Sequence, residues 1–214
     1  MMKKMLSQSM KRVIIFDYDG VIIDSLAVVL TIFETIGKKY TLKITSQKEL
    51  EAVFDTNFYE GLKRHGLPDT RLQEFLSEFT AEIMKKQKQI RLFEGVKECI
   101  ATLSKKNKLM IVTSNLTDIV TLFLDQQRMN LFEEILGADN HTSKVQKILS
   151  IKKKYPGFKY FYVGDTMGDI KEGKQAGVQT IATTWGYHNR TKLQGQKPDY
   201  IVDSPSQLQE IFEE

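Results

Sequence analysis

Four short apolar runs punctuate the chain. VIIF at 13–16 stops at Asp17, and KLMIVT at 108–113, KYFYVG at 159–164 and VQTIAT at 178–183 have the same character. Runs of this length, rich in β-branched residues and without polar alternation, read as strands buried on both faces, as in a parallel sheet. Between them lie segments with apolar residues at helical spacing: Val96, Ile100 and Leu103 within 93–106, and Ile119, Leu122 and Phe123 within 116–127. The stretch 169–177 closes on Gly177, a residue suited to a helix C-terminus. Strands alternating with helices predict an α/β fold, a doubly wound, Rossmann-like parallel sheet with right-handed crossovers.

The interval between the first and second runs is far too long for one crossover. Its pattern predicts helices over 25–38, about 46–54, about 57–65 and about 70–88, with Gly66 and Pro68 as punctuation and a weak strand run, YTLKI, at 40–44. We read it as a helical lobe inserted after the first strand. The expected organisation is a core domain of 1–22 and 91–214, with an all-helical cap domain at 23–90.

Composition changes this picture little. The 214 residues are 41% hydrophobic and 27% charged, ordinary for a globular chain able to bury a sizeable core. The net charge of +4 is matched by Lys3, Lys4, Lys11 and Arg12 alone, so the remainder is neutral by count and no nucleic-acid surface is indicated. The lysine clusters at 85–88, 105–108 and 152–154 read as solvated helix faces. Residues 1–12 lack the apolar stretch of a signal peptide, and no run approaches the ~20 apolar residues of a membrane span. The single Cys99 cannot form an intrachain disulfide and reads as a small buried hydrophobe. A cytoplasmic chain without nucleic-acid or membrane partners is expected, monomeric or at most dimeric.

Candidate chemistry gathers at the strand ends. Asp17 and Asp19 follow the first run two residues apart, which puts both carboxylates on one side if the extended geometry persists, and Gly20 lets the chain turn away. An ordinary strand followed by an Asp-Gly turn explains the same fragment. Thr113, Ser114 and Asn115 close the second run. They could hold a phosphoryl oxygen with a hydroxyl and helix-start amides, or simply cap a helix. Asp165 and Asp169 follow the run at 159–164; hard oxygen ligands at one sheet edge suit Mg²⁺, while Asp169 alone also suits a helix start. Lys144, in TSKVQKI, reads in isolation as a surface lysine. His65, His141 and His188 are scattered singly and read as structural.

Taken together, these residues resemble the haloacid dehalogenase-like hydrolase superfamily. IIFDYDGVIIDS is similar to its first motif, IVTSN to its second, Lys144 to its third and YVGDTMGDI to its fourth, with WGY (185–187) and PDYIVDSPSQL (198–208) similar to its C-terminal stretch. The lobe placement resembles the helical-cap subgroup that includes phosphoglycolate phosphatase-like enzymes and β-phosphoglucomutase. Val21, where many members have threonine, and Tyr18, where an aliphatic is commoner, are small departures. The resemblance implies a Mg²⁺-dependent phosphatase of small phosphorylated metabolites. Asp17 would be the nucleophile and Asp19 the proton shuttle. Thr113, Ser114, Asn115 and Lys144 would hold the phosphate, and Asp17, Asp19, Asp165 and Asp169 would surround the metal, with Asp19 contributing its carbonyl. Dehalogenases of the superfamily lack the second aspartate, so Asp19 favours phosphoryl chemistry. A sugar phosphomutase or phosphotransferase on the same scaffold, and a catalytically silent binding protein, are the alternatives.

Overall fold

A computed structural model describes residues 11–140 and 142–213; Lys3, Lys4 and His141 lie outside them. Six strands form one sheet in the order β5-β4-β1-β6-β7-β8, every neighbouring pair parallel. They are β1 (Arg12–Phe16), β4 (Lys108–Val112), β5 (Glu134–Leu136), β6 (Lys159–Gly164), β7 (Gln179–Thr183) and β8 (Tyr200–Val202).

The central strand β1 shows why its sequence is an unbroken apolar run. Val13, Ile14 and Ile15 are 0% exposed and Phe16 2%. Ile14 and Phe16 enter one core with Leu109, Ile111, Phe161 and Val163, while Val13 and Ile15 enter a second, with Met110, Val112, Ile148 and Ile151. Successive side chains point to opposite faces and both faces are covered, so no position tolerates a polar residue. The covering helices are α5 (Val96–Leu103), α6 (Thr117–Gln126), α7 (Lys144–Lys154), α8 (Met167–Gln175), α9 (Arg190–Gly195) and α10 (Pro205–Glu210). Cys99 sits buried on α5 as expected.

The helical insertion comprises α1 (Leu26–Ile36), α2 (Gln47–Val53), α3 (Phe58–Arg64) and α4 (Leu72–Lys86). It leaves and rejoins the sheet through two two-residue strands, β2 (Ile23–Asp24) and β3 (Arg91–Leu92), paired antiparallel. Its core is aromatic: Phe33 and Phe79 lie 5.6 Å apart, and Tyr40 meets Phe75 edge-on at 5.2 Å. YTLKI forms no strand. Leu42 and Ile44 are buried, but the Leu42 amide donates to the carbonyl of Gly37, closing the turn that follows α1.

The insertion is fastened to the core at a second place. His188 Nδ1 accepts from the Met167 amide at 3.0 Å, so Nε2 carries the proton and donates to the carbonyl of Glu51 at 2.8 Å. The Gly168 amide donates to the carbonyl of Phe54 at 3.2 Å and Lys171 Nζ to that of Asp55 at 2.9 Å. Among the described residues no helix is long and apolar enough to cross a membrane.

Candidate active site

The carboxyl ends of β1, β4 and β6 converge beneath the insertion on a cavity of about 780 Å³. Such an edge is where open α/β sheets bind ligands. β1 continues one residue beyond its end, the Asp17 amide donating to the carbonyl of Val163 at 2.8 Å. The chain then turns through Gly20 at φ +74°, where a Cβ would collide with the Asp165 carboxylate. A Cβ on Gly186 would strike the same carboxylate. Both glycines thus make room for a buried acid as well as a turn.

Asp17, Asp165 and Asp169 each offer an oxygen within 4.8 Å of the others. Lys144, the first residue of α7, places Nζ 2.8 Å from Asp17 Oδ2 and 2.8 Å from Asp169 Oδ1. Asp169 is saturated. Its Oδ1 also accepts from Tyr162 Oη at 3.0 Å, and its Oδ2 accepts the Thr166 amide and hydroxyl at 3.1 and 2.6 Å. Thr166 and Asp169 form a reciprocal capping box, so Asp169 starts α8 and anchors Lys144 at once. Asp165 differs: Oδ2 accepts the Tyr187 amide at 2.7 Å, while buried Oδ1 has no hydrogen-bond partner. An orphaned carboxylate oxygen beside a second acid, with oxygen donors only, fits a hard divalent cation.

Asp19 lines the same cavity but stands outside the acid cluster. Ser25 Oγ donates to its Oδ1 at 2.7 Å, and Asn115 Nδ2 donates to its Oδ2. Ser25 Oγ is also 2.9 Å from Tyr187 Oη. Ser25 is the N-cap of α1 yet makes no side-chain cap bond, because its hydroxyl is committed to Asp19. Thr113 is fully buried; its Oγ1 accepts the Asn115 amide at 3.0 Å and its carbonyl accepts Lys147 Nζ at 2.9 Å. Ser114 and Asn115 line the cavity beside it. Asp17, Asp19, Thr113, Ser114, Asn115, Lys144, Asp165 and Asp169 are therefore gathered at one edge. Ser25, Lys147, Tyr162, Glu172 and Tyr187 were not singled out as site residues, although all but Glu172 fall inside segments quoted above; what gives Lys147 and Tyr187 their place is partners 34 and 162 residues away.

The electrostatics follow from burial. Burial pushes Asp17 up to about 8, against the pull of Lys144 and with a further push from Asp169. Asp165 stands well above the carboxylate range through burial and the charges of Asp169 and Asp17. Burial would raise Asp169 too, but Lys144 and the donors from Thr166 and Tyr162 outweigh it and hold the carboxyl low. Glu172 is raised to about 7, chiefly by burial.

Protein stripped of divalent ions is therefore expected to lose stability between pH 6.5 and 8. Asp17 binds its proton more tightly folded than unfolded, so its contribution is complete below 3.8 and disappears as the pH rises through about 8. Asp165 has the same sign. His188, held low by burial, acts oppositely only below its ordinary 6.5. Lys147, lowered to about 8 by burial and Lys144, opposes only at the upper end. Thermal melts across this window check the slope. Added Mg²⁺ should raise Tm more at pH 8 than at 6.5, since binding displaces protons.

Fold and site together define a doubly wound α/β protein with a buried acid cluster at the carboxyl edge of its sheet, under a helical insertion. A family model described as haloacid dehalogenase-like hydrolase matches residues 14–183. The chain belongs to that family and is a hydrolase. It is 31% identical over 216 residues to the phosphoglycolate phosphatase of Aquifex aeolicus, covering 94% of this chain and 97% of the relative. It is 26% identical over 212 residues to the pyrophosphatase PpaX of Bacillus mycoides, covering 93% and 95%. A haloacid dehalogenase-like family hydrolase from Streptococcus pneumoniae shares the fold with a TM-score of 0.79 at 21% identity, over 95% of this chain and 99% of that one.

Proposed function

We propose that this hydrolase is a Mg²⁺-dependent phosphatase of small phosphate monoesters, acting through a phosphorylated Asp17. The observation that carries this is the buried Asp17 carboxylate, 2.8 Å from Lys144 and clustered with Asp165, whose buried Oδ1 has no hydrogen-bond partner. The relatives' names, phosphoglycolate phosphatase and pyrophosphatase, support phosphoryl chemistry. Asp17 and Asp165, with the Asp19 carbonyl, would hold the ion. Its contribution would be positive charge that keeps Asp17 ionised at neutral pH and offsets the charge of the phosphate.

In the first step an Asp17 oxygen bonds to phosphorus, the bond to the ester oxygen breaks, and Asp19 gives its proton to the departing alkoxide. In the second, water attacks the same phosphorus, Asp19 takes its proton back, and Asp17 leaves as carboxylate with release of orthophosphate. Asp19 suits the donor role because burial raises its pKa above the usual range, against the pull of Ser25, Lys144 and Asn115. Lys144, locked by Asp169, and the Thr113 hydroxyl hold the equatorial oxygens. Ser114 and Asn115 complete the phosphate cradle. Residues 23–90 act as the cap that excludes bulk water. The single cysteine, buried with its thiol pushed up to about 12, accords with a reducing, cytoplasmic setting.

Orthophosphate release from a panel of phosphorylated metabolites is expected with Mg²⁺ and lost on thorough chelation. Turnover that survives chelation would refute the metal assignment. Asp19→Asn should lower kcat for alkyl phosphates by roughly 10²–10⁴-fold. With p-nitrophenyl phosphate, whose leaving group needs no proton, the same variant should give a burst of nitrophenol stoichiometric with enzyme, then slow turnover. A steady rate without a burst, together with normal alkyl turnover, removes Asp19 from the shuttle role.

A further inference from the structure

The cavity over the acid cluster extends well beyond what a phosphate needs. At about 780 Å³ it falls among pockets that enclose a drug-sized ligand, roughly 300–1,000 Å³. Its wall on the insertion's side is apolar and aromatic. Phe54 and Phe58 stack at 5.5 Å with 13° between their planes, and Phe58 meets Phe79 at 5.8 Å. Leu72 and Leu76 are half-buried beside them, and Leu116, 37% exposed, faces the same space from the core. This wall runs down to the chemistry: Phe54 stands edge-on to Tyr187 at 5.0 Å, and Tyr187 Oη is 2.9 Å from Ser25 Oγ, the donor to Asp19.

The charge of the wall is as telling as its shape. Among the described residues no Lys, Arg or His of the insertion lines the cavity, and its ionisable acid there is Glu60. Three of the insertion's cations are paired with its own acids: Lys39 with Glu74 and Glu78, Lys63 with Asp69, Arg71 with Glu74. The cavity's two lysines belong to the core. Lys144 is held between carboxylates, and Lys147 donates to the carbonyl of Thr113. A substrate bearing a second anionic group away from its phosphate meets no cation there, only Glu60.

We infer that the preferred substrates are phosphate monoesters whose alcohol part is uncharged and carries an aromatic ring, seated against Phe54, Phe58, Leu76 and Leu116. This rests on the phosphatase reading. Burial of one ring against such a wall is worth on the order of 10–10²-fold in kcat/KM.

The test measures orthophosphate release by the full chain with Mg²⁺ from 2-phenylethyl phosphate, ethyl phosphate and 2-phosphoglycolate, whose leaving alcohols are of comparable reactivity. The phenylethyl ester is expected to exceed both others by at least about tenfold in kcat/KM. In Phe58→Ala and Leu116→Ala that preference should shrink toward unity, mainly through KM; Leu116 is 37% exposed, so its variant disturbs the packing less than one at a fully buried position. Preference for 2-phosphoglycolate, or equal use of all three, overturns the substrate class and leaves the phosphatase reading standing. A ratio unchanged in both variants overturns the assignment of the wall. No release from any ester by folded, Mg²⁺-binding protein overturns the phosphatase reading itself, and this inference with it.

Discussion

Asp17→Asn is expected to lower turnover by on the order of 10⁴-fold or more while the protein stays folded. The amide has the shape of the carboxyl but does not attack phosphorus, so neither orthophosphate nor an acid-stable phosphoenzyme should appear. The fold should not suffer. The site already raises the Asp17 carboxyl to about 8, mainly by burial, which means that a neutral group there costs less than a charged one. Tm in ion-free buffer at pH 7 should therefore be unchanged or higher. Activity within about a hundredfold of the parent, in protein free of deamidated material, would sink the nucleophile assignment.

Lys144→Ala should have the next largest effect, and it should strike rate and stability together. Its ammonium is 2.8 Å from each of two buried carboxylates, and they keep it protonated even though burial favours the neutral amine. Removing one partner of a buried ion pair typically costs about 3–5 kcal/mol. Here Asp17 can take up a proton, so the uncompensated charge falls on Asp169, and we expect the lower end, about 3 kcal/mol. The rate should drop by roughly 10²–10³-fold with the loss of a preorganised donor. Lys144→Arg should not rescue it, because a planar guanidinium does not fit a space built for a point charge between two acids. Urea unfolding with steady-state kinetics checks both; a variant within 0.5 kcal/mol and tenfold of the parent, on the order of ordinary surface substitutions, would contradict the locked role.

What could be read from the sequence, and what could not, has a physical dividing line. β1, β4, β6 and β7 are covered on both faces, which writes continuous apolar runs into the chain and marks their carboxyl ends. β5 and β8 are three-residue strands at the sheet's edges, mostly half-buried, and leave no such run. The two-residue β2 and β3 are too short to leave any pattern. YTLKI shows the converse error, in which alternate burial of Leu42 and Ile44 arises without a strand partner. Around the site, Asp17 and Asp165 were visible because they follow apolar strand runs, whereas Lys144, by pattern alone a surface lysine, stood out only through the family resemblance. The Ser25–Tyr187 support of Asp19 joins positions 162 residues apart, a distance local patterns do not bridge. His188 was read as structural, and it is, with both ring nitrogens engaged.

The fastening between insertion and core has one more consequence. His188, Gly168 and Lys171 donate to main-chain carbonyls, those of Glu51, Phe54 and Asp55, while Lys192 adds a side-chain pair with Asp55 at 3.3 Å. Carbonyls are common to every amino acid, so those three bonds do not depend on the side chain at Phe54, whereas the pair with Lys192 does depend on Asp55. A lineage could thus exchange Phe54 for other chemistries, acquiring new selectivity while inheriting an unaltered joint.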